Sequence, residues 1–432
     1  MKKQLTVWLL QTGEPLHCDA GQPRPMRAMN LANALVDAGH KVVLWSAAFY
    51  HQEKRHRLHG EKQLRIGSQL EIRLISSPGY VRNIGLGRLW DHAVLGYRLK
   101  QLLRDEIIVP DVAFVGYPPI EAAAVMTRWL ATRGVPSLLD VKDQWPGIFI
   151  DVLPAPLKLV GRVALAPYFH YGRRALRDAT ALSAMADGFL QWAAGFAGRA
   201  VSDLDRVVPL TTPIGRTTEN ELQEAGTWWD QQGVYNDGRQ RICFVGSHSK
   251  VFDMEPVIQA AKLMADRGNT CQFVLCGDGE NSAAWRKKMA DLPNVYFPGW
   301  IDRVKIEALA LRSSAALAPY CNSDDFVLSI PNKVIDSLAL GLPVLSPLSG
   351  EVKRLISDFD VGISYGPVAE KSLESCIEDL AVMPDLRKKL SDNAKKLFRQ
   401  RFSFEMVYGG LVSHLENLAR LKRGINGARQ TD

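Results

Sequence analysis

The chain has 432 residues, of which 47% are hydrophobic and 23% charged, with a net charge of +7. A chain of this length is too long to fold around one ordinary hydrophobic core, so we predict two domains. The composition is that of a globular protein. No apolar run reaches the roughly 18 residues of a membrane-spanning helix, and the positive charge either favours anionic partners or serves solubility alone.

The first half of the chain alternates predicted strands with predicted helices. Residues 5–10 form a first buried strand; the charged start resembles a secretion signal, but the apolar run is short and lacks a small-residue cleavage site. The later elements are helix 25–38, strands 41–46 and 70–76, helix 90–104, strand 111–115, helix 121–131, and strands 137–141 and 179–183. Strands separated by helices indicate a parallel sheet with right-handed crossovers.

The alternation lapses after residue 207 and resumes near residue 242, and Pro209, Pro213 and Gly215 mark the start of a linker. The second half repeats the scheme with strand 242–246, helix 254–266 and strand 272–276, and ends in helices 385–398 and 404–421. We therefore predict an α/β protein with two Rossmann-like doubly wound domains at 1–207 and 241–402, a linker at 208–240, a final helix at 403–423 and a tail at 424–432. Ligands of such sheets bind at the carboxyl ends of the strands, so the glycine loops of both domains are expected to face one cleft.

The most informative stretch is residues 330–346, which predicts a helix, a stop at Gly341 and a buried strand. Ser329 is the predicted N-cap of this helix. A helix start offers free N–H groups and a positive dipole end, which suit a phosphate. Lys333 adds a cation, and Asp336 follows on the same face as an acceptor for hydroxyl groups. A nucleotide-sugar needs this combination.

Three further glycine loops follow predicted strands of the second half. The residues predicted to contact the donor are Gly246, Ser247, Lys250, Gly277, Gly299 and Trp300. The first loop is weaker evidence than a G-x-x-x-x-G-K-[ST] phosphate loop, which is absent. The Gly277 loop also fits a plain turn, and Trp300 equally fits a plug in the hydrophobic core.

The loops after the first strand carry Glu14, Arg24 and Arg27, which we predict to contact an acceptor. The alternative is a surface loop in which the arginines cap or pair locally. Asp143 follows the strand at 137–141 and is placed to orient a substrate hydroxyl or transfer a proton, although it also fits a helix cap.

His51 and Lys54 lie in a charged run beyond a predicted strand end. Such a run is usually a solvated face, and here it also suits a phosphate-bearing acceptor. Residues 157–174 mix basic and apolar side chains. This mixture suits either the surface of an anionic bilayer or a helix that faces the core.

Together these segments resemble the GT-B glycosyltransferases of the large retaining family 4, in the subgroup for bacterial surface polysaccharides. The segments that carry the resemblance are 27–43, 116–120, 140–146, 244–247, 275–280, 295–300 and 331–345. The resemblance implies C-terminal helices that cross back to the first domain, and transfer with retention from a nucleotide-sugar to a glycan or an undecaprenyl-diphosphate-linked acceptor. It also implies a cytoplasmic enzyme, peripheral on the inner face of the membrane.

The resemblance also suggests roles for single residues. Asn332 and Lys333 match a variant of the family's donor motif, and Lys250 and Lys333 would stabilise the diphosphate. Asp336 matches the second acid of the family's E-x7-E pair, whereas Leu328 stands at the first. Asp143 and His51 would face the acceptor.

We expect neither a cofactor nor a metal, because the six cysteines form no Cys-x-x-Cys pair and no cluster with ligand spacing. Free thiols in a reducing compartment fit them best. Two other functions remain open: a nucleotide-sugar epimerase or hydrolase, and a non-catalytic nucleotide-binding scaffold of an assembly complex. A nucleic-acid role is the weakest, since the basic residues are dispersed.

Overall fold

The computed structural model describes residues 3–20, 23–57, 60, 62–83, 85–151, 153–211, 215, 217–367 and 369–428. The chain forms two units, one of Met1–Thr212 with Val407–Asp432 and one of Pro213–Met406. None of the helices in the described ranges combines the length and the hydropathy of a membrane span.

The first unit is built on a sheet whose order is β10-β9-β8-β7-β1-β2-β6-β5. Its strands, with the β3–β4 hairpin, are β1 (Thr6–Leu10), β2 (Lys41–Ala47), β3 (Phe49–Tyr50), β4 (Arg55–His56), β5 (Lys62–Ile66), β6 (Leu70–Ile75), β7 (Val112–Tyr117), β8 (Ser137–Val141), β9 (Ala181–Ala184) and β10 (Arg206–Val207). Within the sheet every pairing is parallel except that of β5 with β6, and the separate β3–β4 hairpin is antiparallel. The central strands are buried along nearly their whole length, as expected for a parallel sheet covered on both faces.

The helices of this part of the chain are α1 (Arg27–Asp37), α2 (Leu86–Arg104), α3 (Ile120–Thr132), α4 (Ile148–Asp151), α5 (Lys158–Ala164), α6 (Ala166–Asp178) and α7 (Asp187–Ala197). Where the sequence suggested one amphipathic stretch at 157–174, the chain breaks at Leu165 into two helices. They differ in burial: α5 has no buried residue, whereas α6 buries Gly172, Ala175 and Leu176.

The second unit has a fully parallel sheet in the order β13-β12-β11-β14-β15-β16. Its elements are α8 (Glu219–Gln231), β11 (Arg241–Val245), α9 (Glu255–Asp266), β12 (Gln272–Cys276), α10 (Ser282–Lys288), β13 (Val295–Gly299), α11 (Arg303–Ala310), β14 (Ala315–Leu317), α12 (Asp324–Val327), α13 (Asn332–Leu340), β15 (Val344–Ser346), α14 (Glu351–Phe359), β16 (Gly362–Ser364), α15 (Leu373–Val382) and α16 (Pro384–Leu397). The two sheets with their helices confirm the predicted α/β class.

The interval 208–240, which the sequence predicts as a linker, contains the helix α8. Thr218 and Glu221 form a capping box at its start. Trp229 is fully buried, and its indole N–H donates to the carbonyl of Lys305 over 2.8 Å. Pattern alone missed this helix because it buries only Ala225, Gly226 and Trp229, and most of its other residues are polar. The capping box was the signal that could have revealed it.

The last helix, α17 (Phe404–Ala428), belongs from Val407 onward to the first unit. The imidazole of His40 lies 3.2 Å from the Glu416 carboxylate, which fixes the helix against β2. The predicted tail at 424–432 is therefore helical as far as residue 428, and its remainder lies outside the described residues.

Candidate active site

The carboxyl edge of the second sheet brings together the three predicted donor glycines, Gly246, Gly277 and Gly299. The N–H of Gly246, after β11, donates to the Cys276 carbonyl over 3.0 Å, and the N–H of Gly277 donates to the Gly299 carbonyl over 2.7 Å. Gly277 has a φ of +128°, and a Cβ there would lie 1.8 Å from the carbonyl oxygen of Gly246. The loops after β11 and β12 therefore touch backbone to backbone, which only glycine permits.

The helix α13 begins at the same edge, and its start carries no side-chain cap. Pro331 occupies the N-cap position. The predicted cap at Ser329 is wrong, because its hydroxyl donates to the Asp325 carbonyl over 2.6 Å. Gly341 ends the helix with a φ of +70°, as the sequence indicates. An uncapped start presents its N–H groups and positive dipole end to a ligand.

Lys333, in the first turn of α13, is the central cation of this edge. Its ammonium donates to the Val245 carbonyl at the end of β11 and lies 5.2 Å from the Phe244 ring and 5.4 Å from the Phe252 ring. Burial lowers the pKa of Lys333 to about 8, and Asp336 opposes this shift. The two side chains therefore interact, as the three-residue spacing predicts.

Lys250 lies on the neighbouring loop in a more exposed setting. Its ammonium is 3.7 Å from the Glu280 carboxylate, and 80% of its side chain is accessible to solvent. Such a surface pair contributes at most about 1 kcal/mol, so a bound diphosphate can displace Glu280 at little cost.

A network that the sequence analysis missed holds the two glycine loops together. Buried His248 contacts the Ser282 hydroxyl through Nδ1 over 2.9 Å, and that hydroxyl donates to Asp278 over 2.6 Å. The N–H of His248 donates to the Asp278 carbonyl over 2.9 Å. Asp278 thus closes the turn after β12, and His248 fixes the β11 loop on it.

The remaining donor candidates are accessible. Ser247 and Asn332 are exposed on the same edge. Trp300 is 77% exposed, so it does not fill the hydrophobic core, which was the alternative that the sequence left open.

Two of the residues predicted to contact an acceptor, Arg24 and Asp143, are exposed on loops of the first unit.

Two residues predicted to contact an acceptor are instead occupied within the first unit. Glu14 accepts from a backbone N–H in the first turn of α1 over 2.7 Å and from the Lys142 ammonium. Arg27 lies 3.4 Å from the Asp140 carboxylate, with both side chains almost fully buried, and donates to the Val208 carbonyl over 2.8 Å. Because Glu14 already accepts from two donors, and Arg27 is almost fully buried against Asp140 and the Val208 carbonyl, we assign both residues a structural part.

His51 is half-buried beside Tyr80 and Lys54. Its Nδ1 lies 2.6 Å from the Tyr80 hydroxyl and 2.9 Å from the Lys54 ammonium. Burial, with the nearby charges of Lys54 and Arg88, lowers the pKa of His51 to about 4. The imidazole is therefore neutral at pH 7 and can accept or donate a hydrogen bond.

Within the described ranges, no three His, Cys, Asp or Glu side chains are close enough to share a metal ion. The cysteines are all free, with Cys18 and Cys321 exposed.

Comparison with known proteins identifies the class of enzyme that the chain resembles. Residues 239–381, which enclose all the donor candidates, match the family described as glycosyl transferases group 1. The fold of the chain is that of the GT-B glycosyltransferases, as predicted.

One protein of similar sequence and two of similar structure are informative. Over 174 residues the chain is 25% identical to alpha-D-kanosaminyltransferase of Streptomyces kanamyceticus, a match that covers 39% of the chain and only 43% of that relative's length. The structure of Alr3699/HepE of Anabaena in complex with UDP superposes with a TM-score of 0.60 at 15% identity, over 96% of this chain and 100% of that chain. The structure of WaaG, a glycosyltransferase involved in lipopolysaccharide biosynthesis, superposes with a TM-score of 0.60 at 13% identity, over 95% of this chain and 99% of that chain. These matches support the prediction of a transferase enzyme.

Proposed function

We propose that the chain transfers a sugar, with retention, from a nucleotide-sugar to an undecaprenyl-diphosphate-linked or other glycan acceptor in surface-polysaccharide biosynthesis. The observation that carries the proposal is Lys333, a partly buried cation at an uncapped helix start on the carboxyl edge of the second sheet. The similar proteins support it: the Alr3699/HepE structure holds UDP, and WaaG is involved in lipopolysaccharide biosynthesis.

The chemistry of such a reaction is the departure of a nucleoside diphosphate from the sugar. Negative charge grows on the leaving phosphate, and preorganised cations and dipoles stabilise it most. Lys333, the start of α13 and Lys250 supply that positive potential. Asp336 accepts hydrogen bonds from sugar or ribose hydroxyls. Leu328 stands where the family pattern has its first acid, and its side chain has no polar atom, so Asp336 acts without that second carboxylate.

A thermal-shift screen against UDP, GDP, ADP and their sugars identifies the donor, because a ligand that binds only the folded state raises the melting temperature. With that donor, Lys333→Ala is expected to lower kcat/KM about a hundredfold, as for one lost charged contact to the transition state. Lys262→Ala, on the exposed face of α9, is the matched control.

The outcomes separate the alternatives. Unchanged turnover in Lys333→Ala contradicts the assigned role. Sugar release or isomerisation from the donor alone identifies a hydrolase or an epimerase. Tight nucleotide binding without turnover in the presence of acceptors identifies a scaffold.

The face of α5 supports association with an anionic membrane surface as part of this function. Leu159, Val160 and Val163 are between 64% and 72% exposed, and Lys158 and Arg162 lie among them. A helix that faced the core would bury these apolar side chains, whereas basic and apolar residues side by side suit anionic lipid.

Sedimentation with phosphatidylglycerol vesicles tests this face. Leu159→Ser with Val163→Ser is expected to release the protein into the supernatant, while Val382→Ser, which changes an equally exposed residue of the second unit, is expected to leave it bound. Equal sedimentation of both variants contradicts the membrane proposal.

A further inference from the structure

A second cluster of polar groups lies in the first unit and takes no part in the donor chemistry described above. The hairpin β3–β4 follows the carboxyl end of β2, the loop with Tyr80 and Asn83 follows β6, and Trp145 follows β8. Parallel strands end at one edge of their sheet, where ligands of such folds bind.

Two cations converge in this cluster without a counterion. The Lys54 ammonium donates to the Asn83 side-chain oxygen over 2.6 Å, and Arg88 donates to the Asn83 backbone carbonyl over 2.9 Å. The two charges lie 4.6 Å and 5.6 Å from the centre of the Tyr80 ring. Throughout the described residues, neither cation is within ion-pair distance of a carboxylate. Asp91, whose titration Arg88 influences, is buried and accepts from a backbone N–H of the β6 loop.

Several atoms of the cluster still lack partners. Nε of Arg88 and Nδ1 of His92 are buried without a hydrogen-bond partner, and His92 is only 4% exposed. Lys54 has a φ of +53°, a backbone conformation that residues other than glycine rarely adopt and that is concentrated at functional sites. An ammonium has only hydrogens to offer, so Nδ1 of His51 accepts from Lys54 and the neutral ring carries its proton on Nε2, as a further donor.

An apolar surface begins beside these donors. Val81 is 85% exposed, Leu86 84% and Trp90 65%. Leu86 and Trp90 are four residues apart and share one face of α2, while Asp91 and His92 point into the unit. Large exposed apolar side chains that share one helix face, as Leu86 and Trp90 do, mark a surface that another apolar group covers.

We propose that Lys54, Arg88 and His51 bind a phosphoryl group whose hydrocarbon chain lies along Val81, Leu86 and Trp90. A guanidinium beside an ammonium suits phosphate oxygens, and the adjoining apolar residues suit a lipid. The ligand class is thus a lipid phosphate or diphosphate, and its place in the reaction, as the acceptor's anchor, rests on the function proposed above.

Calorimetric titration with farnesyl diphosphate, inorganic pyrophosphate and farnesol tests the inference. Farnesyl diphosphate is expected to bind at least about tenfold tighter than either of the others, because only it carries both groups. Lys54→Gln with Arg88→Gln should weaken it at least about tenfold, and Lys54→Gln alone keeps the test open if the double variant unfolds. Lys62→Gln with Arg65→Gln removes the same charge from exposed positions on β5 and is the control.

A separate variant tests the apolar part of the proposed site. Leu86→Ser with Trp90→Ser should weaken farnesyl diphosphate and leave pyrophosphate unchanged, whereas Ile107→Ser, which alters a residue 90% exposed elsewhere in the unit, should change neither. Equal affinities for farnesyl diphosphate and pyrophosphate overturn the lipid assignment. Loss of binding in Lys333→Ala, but not in the Lys54 and Arg88 variants, overturns the whole inference, because the donor site then holds the probe.

Nucleoside diphosphate affinity and sugar transfer, measured on the same samples, distinguish this inference from the proposed function. A protein that binds farnesyl diphosphate through Lys54 and Arg88 but transfers no sugar retains the lipid-phosphate site and loses the proposed function. A protein that transfers sugar while the Lys54 and Arg88 variants bind every probe normally refutes only the lipid-phosphate site.

Discussion

Gly246→Ala is the most discriminating change that the donor site offers. A Cβ at this position would lie 1.6 Å from the Lys333 ammonium nitrogen, whereas ordinary contacts begin at 3.4 Å. The amine must therefore move by about 2 Å, and it can do so because it ends a flexible side chain. Displacement of a catalytic group by even about 1 Å can cost a hundredfold in rate.

The expected result is a folded protein with a displaced cation. Melting temperature should fall by no more than a few degrees, because the ammonium that leaves the Val245 carbonyl regains hydrogen bonds to water, which leaves a net loss of about 1 kcal/mol. Affinity for the best nucleoside diphosphate, measured by calorimetry, should fall about as far as in Lys333→Ala. Gly195→Ala, at a glycine with nothing within 4 Å of the added Cβ, is the matched control.

A double-mutant cycle decides whether displacement of the Lys333 amine causes the loss of affinity in Gly246→Ala. If Gly246→Ala acts by moving Lys333, adding Lys333→Ala should cost nothing further. Wild-type affinity in Gly246→Ala, or fully additive losses in the double variant, would refute the reasoning.

Two further predictions concern stability and are measured by thermal unfolding. Gly277→Ala meets the backbone of Gly246 rather than a flexible side chain, at a φ of +128°, and should cost at least about 2 kcal/mol, or roughly 5 °C; a melting temperature equal to that of Gly246→Ala would contradict this. Asp140→Ala leaves Arg27 as an unpaired buried charge and should cost about 3–5 kcal/mol, whereas Asp143→Ala, at an exposed neighbouring acid, should cost little; equal losses would argue against the buried pair.

The fold was largely predictable because its signals are local and strong. The strand at 137–141 and the stop at Gly341 appear in the structure where the sequence places them. Alternating apolar strands and helices leave few topologies for a parallel sheet. The helix α8 escaped because three buried residues in thirteen give a weak period, and only tertiary contacts such as that of Trp229 reveal its inner face.

The site was predictable only in part, for a different reason. Spacing along one helix brings Lys333 and Asp336 together, and sequence shows spacing directly. Which partner a buried arginine or glutamate meets depends on chain segments far apart in sequence, so Arg27 and Glu14 were indistinguishable from ligand-binding residues until Asp140 and Lys142 were placed beside them. Arg88 and His92 were missed in the same way, since their contacts with Tyr80 depend on which strands are neighbours.

The lowered pKa of Lys333 makes donor binding a proton-linked event. Burial disfavours the charged ammonium, so the amine is mostly protonated at pH 7 and mostly neutral above its pKa of about 8. A bound diphosphate restores the charge, so binding should take up about 0.1 proton at pH 7 and about 0.8 at pH 8.5, and affinity should fall as pH rises through 8. Calorimetry in buffers of different ionisation enthalpy measures this uptake. Lys333→Met should abolish the rise in uptake between the two pH values, and a wild-type uptake that stays flat would show that this ammonium does not meet the diphosphate.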